Sequence, residues 1–168
     1  VWYYYGTSKF YSNEACTSQI TKLTLPTRTG YTYSMFTGDG TSGGNKGERY
    51  TNADGSFTGD LATDIYKNAT LTAQWTANTY TVSYNANGGT VNTSSRIVTY
   101  DDTYGTLVTP ERLGYSFLGW YTAKTGGSKI SSNTVVKITS NQTIYAHWQL
   151  EYLVCNNSVI KCGVAESD

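Results

Sequence analysis

Residues 109–121 of the chain read Thr-Pro-Glu-Arg-Leu-Gly-Tyr-Ser-Phe-Leu-Gly-Trp-Tyr, and residues 25–37 read Leu-Pro-Thr-Arg-Thr-Gly-Tyr-Thr-Tyr-Ser-Met-Phe-Thr. A proline, an arginine, a glycine and an aromatic residue keep the same spacing in both stretches. Proline fixes φ and glycine permits positive φ, so each stretch predicts a bend that leads into an aromatic strand. We expect these strands over residues 31–36 and 115–121. The similarity indicates that one structural unit occurs twice.

The two halves of the chain also end alike. Residues 69–75 read Ala-Thr-Leu-Thr-Ala-Gln-Trp and residues 142–148 read Gln-Thr-Ile-Tyr-Ala-His-Trp. Both stretches alternate with period two, which is typical of a strand with one buried face. Alternation places His147 on the solvent face and the closing tryptophans in the core. The predicted core residues are Trp75, Trp120, Trp148, Tyr115 and Phe117.

A hairpin and three parts of the chain are predicted from the remaining pattern. Residues 80–84 alternate, the turn signal Asn-Gly-Gly follows at 87–89, and residues 96–100 return as a second strand. In the first half, a short helical turn is expected over residues 13–20. We expect one repeat unit over residues 1–76, a second over 77–149, and a tail or the start of a further segment over 150–168.

The composition favours a β-dominated protein. The 168 residues include 16 Tyr and 17 Gly but only 2 Pro, and Tyr and Thr suit strands better than helices. Twelve basic residues balance twelve acidic ones, which argues against a nucleic-acid-binding protein. The apolar runs are far shorter than the roughly 20 residues that span a bilayer, so membrane insertion is not expected. A start at Val1 is typical of a processed or excised piece.

The stretch Gly114–Tyr121, with Pro110 before it and Thr143–Trp148 at the end, resembles the Listeria–Bacteroides repeat. This is the class of the internalin B repeats of bacterial surface proteins. The first half departs from the pattern, because Met35-Phe36 stands where Gly-Trp is usual. The resemblance implies small β-grasp-like (ubiquitin-like) units in an elongated tandem, on the bacterial cell surface or secreted. It also implies a non-catalytic stalk, adhesin segment or filament-building subunit, without a cofactor.

Two other functions stay open, a carbohydrate-binding module that uses exposed tyrosines and an accessory domain of a larger secreted enzyme. The candidate partner surface consists of Tyr3, Tyr5, Tyr121 and Tyr145, whose rings can stack on sugars or on a partner protein. The alternative is that these rings cover the neighbouring unit. The partners in view are a second copy, a host or bacterial surface protein, or a glycan, and not nucleic acid.

No motif in the sequence predicts a catalytic or metal site. His147 is the sole histidine, and no nucleophile is marked to work with it. The oxygen-bearing groups Asp39 with Asn45, or Asn52 with Asp54 and Ser56, lack the closing bidentate carboxylate of a calcium loop. Cys155 and Cys162 bracket a short loop and either form a disulfide or stay thiols, while Cys16 is left over. The cysteines lack the paired spacing of a zinc site.

The strands contain few of the lysines and prolines that normally protect exposed sheet edges. We therefore expect head-to-tail self-association, in which a terminal strand of one copy pairs with a neighbour. The candidate donor segments are residues 1–5 and 150–160. The alternative is a monomeric rod.

Overall fold

The computed structural model describes residues 2–4, 9–38, 47–58, 70–155 and 158–161, with side chains described from Lys9 to Glu151. These ranges contain strands, turns and loops but no helix, so none that is long and apolar enough to cross a membrane. The chain divides into two compact units, residues 1–76 and 77–168. The fold is β-dominated, as the composition predicted.

The described residues of the first unit form two small sheets. Its strands are β1 (Trp2–Tyr4), β2 (Lys9–Tyr11), β3 (Gln19–Ile20), β4 (Tyr31–Gly38) and β5 (Leu71–Ala77). Strands β1, β2 and β3 form an antiparallel sheet in that order, and β4 pairs with β5. The aromatic strand and the closing strand that the sequence predicted in this half are therefore neighbours.

A buried threonine organises the core of the first unit. Thr51 is fully buried beside Tyr33 and Tyr50. Its Oγ1 accepts a hydrogen bond from the Phe36 amide at 2.8 Å and lies 2.5 Å from the Tyr33 hydroxyl. Because both partners are protein groups, burial of this hydroxyl leaves no polar group unpaired.

The helical turn expected over residues 13–20 does not form. The Asn13 Oδ1 accepts hydrogen bonds from the amides of Thr17 and Ser18, both at 3.1 Å, and Cys16 adopts a positive φ of 54°. An asparagine side chain that bonds to nearby amides competes with the helical hydrogen-bond pattern. The segment is a loop that leads directly into β3.

The second unit is built around a five-stranded mixed sheet. Its strands are β6 (Thr79–Asn85), β7 (Ser95–Thr99), β8 (Tyr115–Tyr121), β9 (Lys129–Ile130), β10 (Gln142–Leu150), β11 (Tyr152–Cys155) and β12 (Ser158–Lys161). The sheet order is β7-β6-β10-β8-β9. Strand β10 is parallel to β6 and antiparallel to β8, so the first and last long strands of the sheet lie side by side at its centre.

One face of this sheet carries the hydrophobic core. Trp120 is 1% exposed, and its indole Nε1 donates a hydrogen bond to the Val108 carbonyl at 2.7 Å. Ala146 lies opposite Trp120 in the ladder, so a small residue adjoins the largest ring. Burial raises the pKa of Tyr104. The remaining buried members are Val82, Tyr84, Val98, Tyr104, Ile130, Val136 and Ile144.

Both segments expected to act as donor strands are paired within the chain. Strand β1, inside residues 1–5, pairs with β2, and strands β11 and β12, which overlap residues 150–160, pair with each other. A strand that already forms backbone hydrogen bonds in a hairpin has to break them before it can join another copy. Exchange of these segments between copies therefore stays a prediction, and it requires that the pairs β1–β2 or β11–β12 open first.

Candidate functional site

The predicted core residues differ in how completely they are covered. Trp120 is fully buried, whereas Phe117 and Trp148 are half-buried and pack against the edge of the cluster. Trp75 is half-buried in β5. Tyr115 lies outside the buried cluster of the second unit and is also half-buried.

Two of the four candidate partner tyrosines lie opposite each other on the outer face of the second unit. Tyr121 in β8 pairs with Tyr145 in β10, and both are half-buried. The His147 ring stacks on Tyr121, with ring centroids 3.9 Å apart and the planes within 9°. Its Nε2 lies 2.9 Å from the Ala123 carbonyl oxygen. One face of the Tyr121 ring is therefore covered, which limits sugar stacking there.

His147 is half-buried, whereas the sequence predicts a side chain on the solvent face. The ring is covered by its stack on Tyr121 and by the contact of Nε2 with the Ala123 carbonyl. Alternation correctly gave the side of the sheet but not the contacts on that side. Of the other two candidate partner tyrosines, Tyr5 and the side chain of Tyr3 lie outside the described residues.

A cleft of about 820 Å³ opens between residues 88–90 and 111–113, with Tyr115 at its wall. The two segments are joined by paired backbone hydrogen bonds between Thr90 and Glu111, at 2.7 and 2.8 Å. Asn87 and Gly88 have φ values of 48° and 92°, the positive pair that an Asn-Gly turn requires. The turn therefore forms at the predicted residues, and it builds a wall of this cleft.

The Arg112 guanidinium lies between two walls of the cleft. Its Cζ is 3.8 Å from the centroid of the Tyr115 ring. A Cβ added at Gly88 would lie 3.2 Å from the same Cζ, so the turn also packs closely against the guanidinium. No hydrogen bond or ion pair from the described part of the chain engages this group. Arg112 is thus held in place by stacking while its N–H donors stay available.

Two further side chains give the cleft its chemical character. Glu111 is exposed and carries a carboxylate, Leu113 is 81% exposed and apolar, and both residues line the cleft. In the sequence, Arg112 stands out only as part of the repeated spacing. The same stack recurs in the first unit, where the Arg28 Cζ lies 3.8 Å from the Tyr31 ring centroid. An arginine three residues before a tyrosine in both halves was the signal that could have indicated it.

The oxygen-bearing residues considered for calcium in residues 52–56 bond to one another. Ser56 Oγ donates to Asp54 Oδ1 at 2.6 Å, Asn52 Nδ2 donates to Ser56 Oγ at 3.0 Å, and Arg49 Nη2 donates to Asn52 Oδ1 at 2.5 Å. The hydrogen bonds from Ser56 hold the pKa of Asp54 below its usual value. These contacts build a turn. Asp39 and Asn45 lie outside the described residues.

Two of the three cysteines, Cys16 and Cys155, lie within the described residues. Cys16 is a free, half-buried thiol. Cys155 ends β11 and pairs with Ser158 in the hairpin, whereas Cys162 lies outside the described residues. The disulfide between Cys155 and Cys162 stays a prediction. Within the ranges that the structure describes, no group of three His, Cys, Asp or Glu side chains is arranged to hold a metal ion.

Comparison with known proteins finds a family match inside the second unit. Residues 80–147 match the family described as the Listeria-Bacteroides repeat domain. The chain is also similar to internalin H of Listeria monocytogenes, with 37% identity over 131 residues, which cover 77% of this chain and 21% of that protein. Two proteins of Evansella cellulosilytica whose names call them membrane proteins are 37% and 34% identical, over 97 and 130 residues.

The matches to the Evansella proteins cover 54% and 74% of this chain and 13% of each relative. The chain therefore spans between an eighth and a fifth of the length of these relatives. The motif of residues 114–121, the strand arrangement around it and the family match concern the same segment. Residues 80–147 of the chain therefore match the Listeria-Bacteroides repeat family.

Proposed function

We propose that this chain is a non-catalytic repeat module of a bacterial surface protein, where it acts as a spacer or adhesin segment that carries a binding surface. The family match over residues 80–147, with the similarity to internalin H, carries this proposal. The chain covers 21% of internalin H, which is the share expected of one module in a longer protein. Extracellular repeat modules commonly project a functional region or present a surface of their own.

The ring contacts support the view that the two units are copies of one fold. In the second unit, the Phe117 ring centroid lies 5.6 Å from those of both Trp120 and Trp148. In the first unit, the matching rings are Tyr33, Phe36 and Trp75, with distances of 5.2 and 6.1 Å.

The length of the similarity to internalin H also supports two related units. The 131 residues similar to internalin H are more than the whole second unit, residues 77–168, contains. The similarity therefore extends into the first unit. The equivalent stacks of Arg28 and Arg112 agree with a tandem of related units.

The strand order supports a β-grasp-like second unit. In this arrangement the first and last strands of the unit form a central parallel pair and the other strands flank them. Strands β6 and β10 form such a pair, with β7 on one side and β8 and β9 on the other. Residues 100–114 connect the two halves of the sheet and contribute Tyr104, Leu107 and Val108 to the core.

The state of the sole histidine favours a non-catalytic role. A general base needs a ring nitrogen within reach of a substrate proton. His147 is stacked on Tyr121, and its Nε2 is held at the Ala123 carbonyl. These contacts make the ring part of the outer face of the sheet.

Antibody labelling of intact bacteria tests the proposed location at the cell surface. Antibodies raised against the purified chain are applied to intact cells of the source bacterium and, as a control, to permeabilised cells. We expect intact cells to be labelled and trypsin treatment of intact cells to remove the label. Labelling that appears only after permeabilisation would contradict the proposal.

A further inference from the structure

We infer that the cleft around Arg112 binds a peptide segment through one of its carboxylate groups. This inference goes beyond the role of a surface repeat and concerns a site within the second unit alone. It depends on the geometry of residues 88–90 and 111–115, wherever the whole protein is located. The purified chain therefore tests it independently of the labelling experiment.

The guanidinium of Arg112 is preorganised to accept a planar anion. Tyr115 and the turn at Gly88 restrict it from two sides, and its donors are unused by the described residues. A free arginine loses much rotamer freedom on binding, whereas a stacked one has already lost it. The planar fork of donors matches a carboxylate with two parallel hydrogen bonds. Arg112 can therefore bind a carboxylate with a low ordering cost.

The remaining lining of the cleft favours a peptide over an acidic polysaccharide. The exposed, acidic Glu111 lines the same cleft as Arg112 and is its neighbour in the chain, so a ligand with a negative charge on every unit would meet repulsion from it. A peptide can present a carboxylate to Arg112 and an amide or basic donor to Glu111. The zero net charge of the chain also provides no long-range attraction for a polyanion.

The apolar and aromatic surfaces of the cleft also favour a peptide over a sugar. Leu113 is 81% exposed beside Arg112 and can pack against an apolar side chain next to the bound carboxylate. Among the described residues that line the cleft, Tyr115 is the one with an aromatic ring, and the guanidinium covers one of its faces. This reduces the ring area on which a sugar could stack.

The first unit provides a matched control. Arg28 stacks on Tyr31 at the same 3.8 Å as Arg112 on Tyr115. Its half of the chain lacks an Asn-Gly-Gly sequence in its opening hairpin region, so the wall that Gly88 provides for Arg112 has no sequence counterpart. Substitution of Arg28 removes an equivalent charge and an equivalent stack without altering the cleft.

The test is an NMR titration of the full ¹⁵N-labelled chain. The probe is the dipeptide acetyl-Leu-Glu, which carries two carboxylates and an apolar side chain. The neutral acetyl-Leu-Gln-amide and an oligogalacturonate are titrated in parallel. We expect saturable shifts of the Gly88, Gly89 and Leu113 amides with the acidic dipeptide, with a dissociation constant of the order of 1 mM for so small a ligand.

The variants separate a binding arginine from a structural one. Arg112→Met should abolish saturation, Arg112→Lys should weaken binding about tenfold because it loses the paired donors, and Arg28→Met should leave binding unchanged. If Arg112→Met does not keep the native spectrum, Arg112→Lys shows whether the arginine binds the ligand.

Three results would overturn the inference. They are absence of saturation in the unsubstituted chain, unchanged binding in a folded Arg112 variant, and an equal response to the neutral dipeptide. A stronger response to oligogalacturonate would also overturn it and identify an acidic glycan instead.

Discussion

At the scale of single residues, the two tryptophans of the second unit show how far alternation predicts burial. Trp120 and Trp148 both face the core, and each indole N–H donates to a backbone carbonyl, at 2.7 Å to Val108 and 2.9 Å to Ala86. Trp120 is fully enclosed by the cluster, whereas Trp148 lies at its edge under the turn that contains Gly89. The side of the strand follows from sequence, but the degree of enclosure depends on the loops above it.

We predict that Trp120→Ala lowers the free energy of unfolding by about 3–5 kcal/mol, the usual loss for a large-to-small change in a core. Trp148→Ala should cost less, because part of its ring is already exposed to solvent. Tyr145→Ala, on the opposite face of β10, should cost least. Urea unfolding followed by circular dichroism measures all three. A larger loss for Trp148→Ala than for Trp120→Ala would contradict this ranking.

At the scale of the elements, strand β8 contains a bulge that the repeat motif explains. The pairing with β10 shifts between His147 and Trp148, so Leu118 is the extra residue next to Gly119. Gly119 has a φ of 139°, a conformation that residues with a Cβ rarely adopt. In the first unit, Met35 occupies the matching position and has no positive φ. The glycine of the Gly-Trp pair therefore allows the backbone conformation of the bulge in the second unit.

We predict that Gly119→Ala destabilises the second unit by about 1–3 kcal/mol, because alanine is strained at this φ. A Cβ there would also lie 2.5 Å from Lys129 Cε, which is the flexible part of a side chain. Combining the change with Lys129→Ala should therefore recover little stability, and Lys129→Ala alone should be nearly neutral. Thermal unfolding measures this set. Full recovery in the double variant would show that the side-chain contact, and not the backbone, causes the loss.

The sequence predicted the strands better than their connections and pairing. Residues 115–121 form β8 as predicted, and β6 pairs with β7 as a hairpin. The Asn-Gly-Gly turn, however, does not join these strands directly, because the ladder ends at Ser83 and Ser95 and residue 90 pairs with Glu111 instead. The parallel pairing of β6 with β10 joins segments about 60 residues apart, and no local pattern encodes such contacts.

The candidate site was predicted even less completely, for a related reason. The spacing of Arg112 and Tyr115 was visible in the sequence, but the wall formed by Gly88 comes from another part of the chain. A cleft between two loops depends on tertiary packing, which residue types alone do not specify. The outer-face contact of His147 with Tyr121 similarly results from cross-strand register.

At the scale of the whole molecule, the sheet edges decide how copies can associate. The five-stranded sheet ends in β9 on one side and β7 on the other. Strand β9 has two residues, one of them Lys129, and short, charged edges resist pairing. Strand β7 has five residues and presents Ile97 with 70% of its surface exposed. Since the terminal segments already pair in hairpins, β7 is the more accessible edge for a second copy.

We therefore expect weak, reversible self-association through β7. Two copies that pair the same edge form a closed, symmetric contact, so this route yields dimers, whereas head-to-tail exchange of terminal strands would yield longer series. Ile97→Lys should keep the chain monomeric, because a charge on an edge strand opposes pairing. Leu113→Lys, which changes another highly exposed apolar residue, in the cleft, should leave association unchanged. Sedimentation equilibrium over rising concentration distinguishes pairing through β7 from exchange of terminal strands. Species larger than dimers would favour exchange of terminal strands. A chain that stays monomeric at all concentrations would contradict self-association, and the role of a passive spacer would be left.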